Sequence, residues 1–150
     1  GHKGWYMDTT NWTDFGLVSS KYGVDVYFCG HVHNYERFVP YDAPSGQADF
    51  ASVSADKGTY TNPKYMTTIV TGAPGNKETN VPCNASLATI TAACTQNYGY
   101  GYFQVFNATH AHWNFKTAVP FAGQSLRGSS VAADFSDDLW IIQNNHGMRE

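Results

Sequence analysis

The chain has 150 residues, of which 42% are hydrophobic and 15% aromatic, and its nine basic and twelve acidic residues give a net charge of -3. This composition is sufficient for a packed core and excludes a disordered chain. With no basic stretch, nucleic acid is not the expected partner, and with no apolar run near ~20 residues, no membrane span is expected.

The predicted elements begin with a short helix and a strand. Residues 12–23 indicate a helix that ends at Gly23, since glycine suits the residue just after a helix. The sequence VDVYFCG (24–30) is rich in β-branched and aromatic residues and too short for a helix, so it predicts a buried strand. Helix, strand and polar turn make an α/β unit, in which ligands gather in the loops beyond the strand ends.

The rest of the chain predicts one long excursion and three further strand regions. Residues 40–64 are rich in Pro, Gly, Ser and Asp and indicate irregular structure. Residues 65–76 predict a second buried strand, and residues 97–116 predict a hairpin whose two alternating strands are joined at NAT. Residues 134–144 predict a last strand, and no repeat or linker divides the chain.

The three cysteines indicate one disulfide and one free thiol. Cys83 and Cys94 flank NASLATITAA, which resembles a loop-like insert, and their pairing would suit an oxidising compartment. Cys29 lies inside an apolar run and is expected to be a buried free thiol.

Three N-x-S/T sequons also favour secretion, with Asn11, Asn84 and Asn107 as candidate glycosylation sites. The expected location is extracellular, or vacuolar or lysosomal. The N-terminal sequence GHKGWYMDTT has neither an initiator methionine nor a leader, so the chain is expected to start after a cleavage or truncation.

The sequence GHVH (30–33) places two histidines one residue apart after the first predicted strand. In a regular strand their side chains would face opposite sides. Gly30 permits a turn out of the sheet, so His31 and His33 can face one cavity and bind one metal, or two metals about 3.5–4 Å apart. The alternative is that both histidines are polar turn residues hydrogen-bonded to the backbone. The buried strand before the motif and the Asn-Tyr-Glu-Arg sequence after it favour the metal site over this alternative.

Here a family resemblance becomes specific. GHVHNYER (30–37) resembles the last metal-binding motif of the metallophosphoesterases, and its Tyr-Glu-Arg extension resembles the purple acid phosphatase branch. The segments MTTIVTGAPGNKE (66–78), GYGYFQVFNATHAHWNF (99–115) and DDLWII (137–142) resemble framework segments of that branch in the same order. The resemblance implies an α/β fold, namely the C-terminal part of a β sandwich flanked by helices.

The resemblance also implies a dinuclear metal centre that hydrolyses phosphomonoesters at acid pH. His2 would be the histidine of a Val-x-x-His motif and would bind a divalent metal (Zn, Mn or Fe) together with His31, while His33 would bind Fe(III). The alternative for His2 is a frayed terminal residue. Glu36 and Arg37 are expected to form an ion pair that fixes the metal loop, because such contacts orient metal ligands.

Two departures from the family pattern limit this interpretation. The earlier motifs, which carry the aspartates, the tyrosine and the asparagine, are absent from these residues. Residues 1–150 are therefore expected to be the C-terminal portion of a catalytic domain, inactive as a phosphatase alone. The histidine that protonates the leaving group in plant-type members is also absent from these residues. Asp8 could take that role or could cap the helix. The catalytic residues are therefore unassigned.

The sequence also allows functions other than phosphatase activity. A secreted, non-catalytic glycoprotein module could use the aromatic strands YGYGYF and HWNF as a carbohydrate or protein surface, although this leaves GHVHNYER unexplained. A structural zinc site is a further alternative, although thiolate ligands are commoner there. His110 and His112, on the last strand of the hairpin, are expected to have a cross-strand structural role.

Overall fold

The computed structural model describes residues 13–78, 80–118 and 134–147. Within these ranges it contains one α-helix and ten strands, with short 3-10 turns at Phe50–Ser52 and Ala85–Leu87. In chain order the elements are α1 (Thr13–Lys21), β1 (Val26–Cys29), β2 (Tyr35–Phe38), β3 (Tyr41–Asp42), β4 (Gln47–Ala48), β5 (Thr59–Thr61), β6 (Thr67–Thr71), β7 (Thr91–Thr95), β8 (Gly99–Val105), β9 (His110–Thr117) and β10 (Ser136–Ile142).

The first sheet has the strand order β1-β6-β2-β7. β1 runs parallel to β6, with Cys29 opposite Val70, whereas β2 is antiparallel to both β6 and β7. The carboxyl ends of β1 and β6 therefore lie at the same edge of the sheet. In α/β structures, the loops beyond such strand ends collect ligands.

The second sheet has the strand order β5-β10-β9-β8. β5 runs parallel to β10, and the other neighbours are antiparallel. β8 and β9 form the hairpin that alternation predicted, with Val105 opposite Ala111. β3 and β4 form a separate two-stranded ribbon inside the excursion, which therefore is not wholly irregular.

The two sheets pack face to face around an aromatic core. The Tyr35 ring of the first sheet stacks on Phe115 of the second, with centroids 3.9 Å apart and planes 7° from parallel. Phe28 contacts Trp113 with centroids 5.1 Å apart. The buried cluster between the sheets contains Tyr35, Tyr60, Ile69, Ala73, Trp113, Phe115, Leu139 and Ile141. This confirms the predicted sandwich.

A buried ion pair joins β2 to β10 within this core. The Arg37 Nε and Nη2 groups donate to the two carboxylate oxygens of Asp137 at 2.6 and 2.7 Å. Nη1 donates to the Lys57 carbonyl oxygen at 3.0 Å and to the Tyr60 hydroxyl at 2.5 Å. Burial, the largest single influence, lowers the pKa of Arg37. The hydrogen bonds to Asp137 and the charge interactions with Tyr60, Asp137 and Tyr35 together outweigh burial and raise the pKa, so the guanidinium stays charged.

Tyr35 and Trp113 extend the ion pair into a network. The Tyr35 hydroxyl donates to Oδ2 of Asp137 and accepts a hydrogen bond from Trp113 Nε1 at 2.9 Å. Burial, and then the Asp137 charge, raise the pKa of Tyr35 far above its usual value, so its hydroxyl remains a donor. Each sheet therefore contributes both polar and aromatic groups to one network.

The helix α1 flanks the first sheet, as predicted. Phe15 contacts Tyr27 of β1, with ring centroids 4.9 Å apart. Gly23 has a φ of 66°, and the Val24 N–H donates to the Ser19 carbonyl at 2.9 Å, so the helix ends at its glycine. No helix among the described residues has the length and apolar character needed to cross a membrane.

Two details of the strand predictions are wrong. The strand predicted over residues 24–30 is β1, which lies at one end of the strand order of the first sheet and is only half-buried, with Phe28 36% exposed. The insert between the cysteines is not all loop, because its second half enters β7 and pairs with β2. Pairing with a distant strand supplies the hydrogen bonds that the local sequence does not reveal.

The predicted disulfide is confirmed. Cys83 and Cys94 are bonded, with Cα atoms 6.1 Å apart, and Cys94 lies opposite Glu36 in the β2–β7 ladder. The bridge therefore ties residues 83–94 to the sheet beside the strand that follows the GHVH loop. Cys29 is the free thiol, and burial raises its pKa to about 11.

We expect Asp137→Ala to lower the free energy of unfolding by about 3–5 kcal/mol, because Arg37 would keep a buried charge without its carboxylate. Asp138→Ala is the matched control. Its side chain is 59% exposed and 3.0 Å from His112, so its loss should cost at most about 1 kcal/mol. Urea unfolding followed by tryptophan fluorescence measures both, and similar losses would contradict a dominant role for the buried pair.

The thiols give a second test. Without reductant, the denatured protein should react with one equivalent of a thiol reagent per chain, and three reactive thiols would disprove the disulfide. In the folded protein, alkylation of Cys29 should rise about tenfold per pH unit toward pH 11, because only the thiolate reacts. A rate that levels off near pH 9 would contradict the raised pKa.

Candidate metal centre

The GHVH loop lies where β1 and β6 both end, held by backbone hydrogen bonds on two sides. The Gly72 N–H donates to the Asn34 carbonyl at 3.0 Å, just beyond the end of β6. The Val81 N–H donates to the His33 carbonyl at 2.9 Å. The loop position is thus set by the segments that follow β6 as well as by its own strand.

Gly72 is required by the packing of this loop. A methyl group on Gly72 would lie 1.9 Å from the Val32 carbonyl oxygen and 2.6 Å from that of Gly30, distances that backbone atoms cannot accept. A methyl group on Gly30 would lie 3.6 Å from the Thr71 carbonyl oxygen, an ordinary contact, and Gly30 has no left-handed φ. The chain leaves β1 at Gly30, as predicted, but nothing at Gly30 requires a glycine, and the close approach of the loop depends on Gly72.

The two histidines of the loop differ in surroundings. His31 is exposed, whereas His33 is half-buried, and its Nδ1 lies 3.6 Å from a carboxylate oxygen of Glu78. This separation is longer than a hydrogen bond, so Glu78 lies near the His33 ring without fixing its orientation. Glu78 was not assigned from the sequence, because no local pattern indicates that the segment after β6 approaches the GHVH loop.

The predicted ligand set is only partly within the described structure. His2 and Asp8 lie outside the described residues. Among the residues that are described, no three His, Cys, Asp or Glu side chains cluster closely enough to hold a metal ion. The nearby donors are the imidazoles of His31 and His33 and the Glu78 carboxylate. Imidazole nitrogens suit a divalent ion such as Zn²⁺, but these three side chains do not form a complete metal site, and Fe(III), a hard ion, requires further oxygen ligands.

The residues after the loop stabilise it differently from the prediction. The expected partner of Arg37 was Glu36, and this is wrong, because neighbouring residues of a strand face opposite sides and Arg37 pairs with Asp137. Glu36 is fully buried and accepts a hydrogen bond from the Thr91 hydroxyl at 2.8 Å. β2 is therefore fixed through Arg37 to the second sheet and through Glu36 to β7.

The histidine pair of the hairpin has the predicted structural role in part. His112 Nε2 lies 3.0 Å from Asp138 on the neighbouring strand, and its ring packs on Trp140 with centroids 4.5 Å apart. His110 instead contacts the adjacent Thr109 hydroxyl at 2.7 Å. The cross-strand role thus holds for His112.

Two of the three sequons fall in the described structure. Asn107 is exposed in the turn between β8 and β9, where its side-chain oxygen accepts hydrogen bonds from the Thr109 N–H and hydroxyl. Asn84 is half-buried and accepts hydrogen bonds from the N–H and hydroxyl of Ser86. Asn11 lies outside the described residues.

The chain is similar in sequence to known acid phosphatases. Residues 65–125 match the family model described as "Iron/zinc purple acid phosphatase-like protein C". The chain is 37% identical over 130 residues to an acid phosphatase of Aspergillus ficuum, covering 84% of this chain and 19% of that protein. It is 30% identical over 134 residues to acid phosphatase type 7 of Mus musculus, covering 86% of this chain and 26% of that protein.

The fold agrees with these sequence matches. The structure of purple acid phosphatase PPD1 from yellow lupin (Lupinus luteus) seeds aligns with a TM-score of 0.59 and 21% identity, covering 87% of this chain and 19% of that one. The resemblance to purple acid phosphatases and the expected fold class are therefore confirmed. The matched part of the chain spans 26% of the mouse protein and 19% of the Aspergillus protein.

Gly72 and Gly30 provide a matched pair for testing the loop packing. Gly72→Ala should lower the free energy of unfolding by about 1–3 kcal/mol or more, because the added methyl group must displace the backbone of the GHVH loop. Gly30→Ala should change it by no more than about 0.5 kcal/mol. Thermal unfolding measures both, and a harmless Gly72→Ala would contradict the loop geometry.

Proposed function

We propose that residues 1–150 are the C-terminal portion of the catalytic domain of an acid phosphatase that hydrolyses phosphomonoesters at a dinuclear metal centre. The observation that carries this proposal is the GHVH loop, held where β1 and β6 end, with His33 beside Glu78. The acid phosphatases among the relatives of this chain support the same reaction class.

The proposed ligands divide between two ions. His31, together with His2, holds a divalent ion (Zn, Mn or Fe), and His33 holds Fe(III). Two such ions, when bound, neutralise phosphate oxygens and lower the pKa of bound water, so that a nucleophile exists at acid pH. The histidines must be neutral to serve as ligands.

The remaining ligands are proposed to come from outside residues 1–150. The relatives are about four to five times as long as the matched portion, which leaves room for the earlier motifs of the family. A set of imidazoles lacks the carboxylate that bridges two cations and the oxygen ligands that Fe(III) prefers. The chain alone is therefore expected to bind Zn²⁺ weakly at best and to lack phosphatase activity.

We also propose that the protein is secreted, or resides in a vacuole or lysosome. The disulfide between Cys83 and Cys94 fits an oxidising compartment. The exposed position of Asn107 in a hairpin turn is compatible with an attached glycan.

A non-catalytic binding module is the second candidate. Tyr100 and Tyr102 of β8 are each 61% exposed, and such rings can serve as a binding surface. The acid phosphatases among the relatives favour the enzyme over this module.

The full-length protein, supplied with iron and zinc, should hydrolyse a chromogenic phosphomonoester at acid pH with a turnover number near ~10 s⁻¹. His31→Ala should remove one metal per chain and most of that activity. His112→Ala is the control, because His112 lies on the second sheet and pairs with Asp138. Retained metal content and rate in His31→Ala would contradict the assignment.

Residues 1–150 alone should show no turnover under the same conditions. A turnover number near ~10 s⁻¹ that disappears in His31→Ala would show the whole active site to lie within this chain. The proposal that it supplies only part of the site would then be wrong.

A further inference from the structure

Phe106, the residue before the Asn107 sequon, presents an aromatic ring to solvent. It is 51% exposed, although phenylalanine side chains are usually buried. Its ring stacks on Trp140 of β10, with centroids 5.2 Å apart and planes 30° from parallel. Trp140 lies between Leu139 and Ile141, which both belong to the core, so the two rings lie on the face of the second sheet that is turned away from the first. The proposed phosphatase chemistry gives these rings no role.

Neighbouring side chains hold the Phe106 ring in place. Trp140, on which it stacks, also packs against His112 of β9, with ring centroids 4.5 Å apart. His112 Nε2 lies 3.0 Å from a carboxylate oxygen of Asp138. One side of the Phe106 ring is therefore supported by side chains of two strands, while the residue stays exposed. A ring that is already ordered loses little further conformational freedom when it binds a ligand.

The Asn107 side chain is also held in one orientation. Its Oδ1 accepts hydrogen bonds from the Thr109 N–H at 2.8 Å, the Thr109 hydroxyl at 2.9 Å and the His110 N–H at 3.0 Å. These bonds engage the oxygen and leave Nδ2, the atom that carries an N-linked glycan. Because Asn107 is exposed and directly follows Phe106, a glycan on its Nδ2 begins next to the ring.

We propose that Asn107 carries an N-linked glycan and that the first sugar of this glycan packs on the exposed ring of Phe106. One face of a pyranose presents C–H groups, whose small positive charge complements the negative face of an aromatic ring. The contact also removes apolar ring surface from water. The sequon at Asn84 has no such ring beside it, because its neighbours are Cys83 and Ala85. The inference rests on the proposed secretory location, where N-linked glycans are added.

Glycan mapping by mass spectrometry of the full-length protein from its natural source is the first test. It should find a glycan on Asn107. A glycan at Asn84 or Asn11 but not at Asn107 would overturn this inference alone. No glycan at any sequon would overturn it and would also count against the secretory location.

A double-mutant cycle tests the packing, in full-length protein secreted from a eukaryotic host and trimmed to the first sugar with an endoglycosidase. Asn107→Gln removes the glycan, and its loss of turn hydrogen bonds cancels in the cycle. Phe106→Leu keeps apolar bulk and removes the aromatic face. Tyr102→Leu is the matched control, because Tyr102 is 61% exposed and lies about 13 Å away along the strand, beyond one sugar.

The glycan should slow amide hydrogen exchange of the β8–β9 hairpin about fivefold in the parent and in Tyr102→Leu, and less than about twofold in Phe106→Leu. Phe106→Trp keeps an aromatic face and should retain the full effect, which separates sugar packing from a general loss of side-chain contacts. An equal glycan effect in the parent and in Phe106→Leu would overturn the packing. None of these measurements requires catalysis, so an inactive enzyme would refute the phosphatase proposal and leave this inference standing.

Discussion

The buried ion pair between Arg37 and Asp137 is the interaction on which the arrangement of this molecule depends. Only 2% of the Arg37 side chain and 9% of the Asp137 side chain are exposed, so both charges have lost most of their water. Such a loss is offset only when the geometry is good and the other donors are satisfied. Here both carboxylate oxygens receive hydrogen bonds from the guanidinium, and its remaining nitrogen reaches Lys57 and Tyr60.

The position of the candidate metal centre follows from that pair. β2 begins two residues after His33, and Arg37 lies within β2, so the pair fixes the strand that leads out of the GHVH loop. Tyr35 adds a second attachment through its stacking on Phe115. The loop is therefore a short connection between two strands that the sandwich holds in place, and this limits the positions its histidines can take.

Features encoded by neighbouring residues could be predicted from the sequence. The end of α1 at Gly23, the β8–β9 hairpin and the bond between Cys83 and Cys94 each depend on a short segment with a clear pattern. The GHVH motif was recognisable because both histidines lie together after a strand. Its ligand assignment, including His2, stays a prediction.

Features that depend on distant pairing could not be predicted. The sequence YERF has two charged residues among four, so no alternation marks β2 as a fully buried strand. Its burial is explained only by Asp137, which lies 100 positions away. Glu78 was missed for the same reason, because the parallel pairing of β1 with β6 brings it to His33 and nothing in the local sequence indicates that pairing.

The long sequence separation of Arg37 and Asp137 also bears on how the protein folds and how long it stays folded. Their contact requires the closure of a large loop, and β5 must pair in parallel with β10, so we expect the network to form after local elements such as the β8–β9 hairpin. Interactions that form late are absent from the folding transition state. They therefore slow unfolding more than they accelerate folding. On this basis the ion pair that joins the sheets governs chiefly the lifetime of the native state.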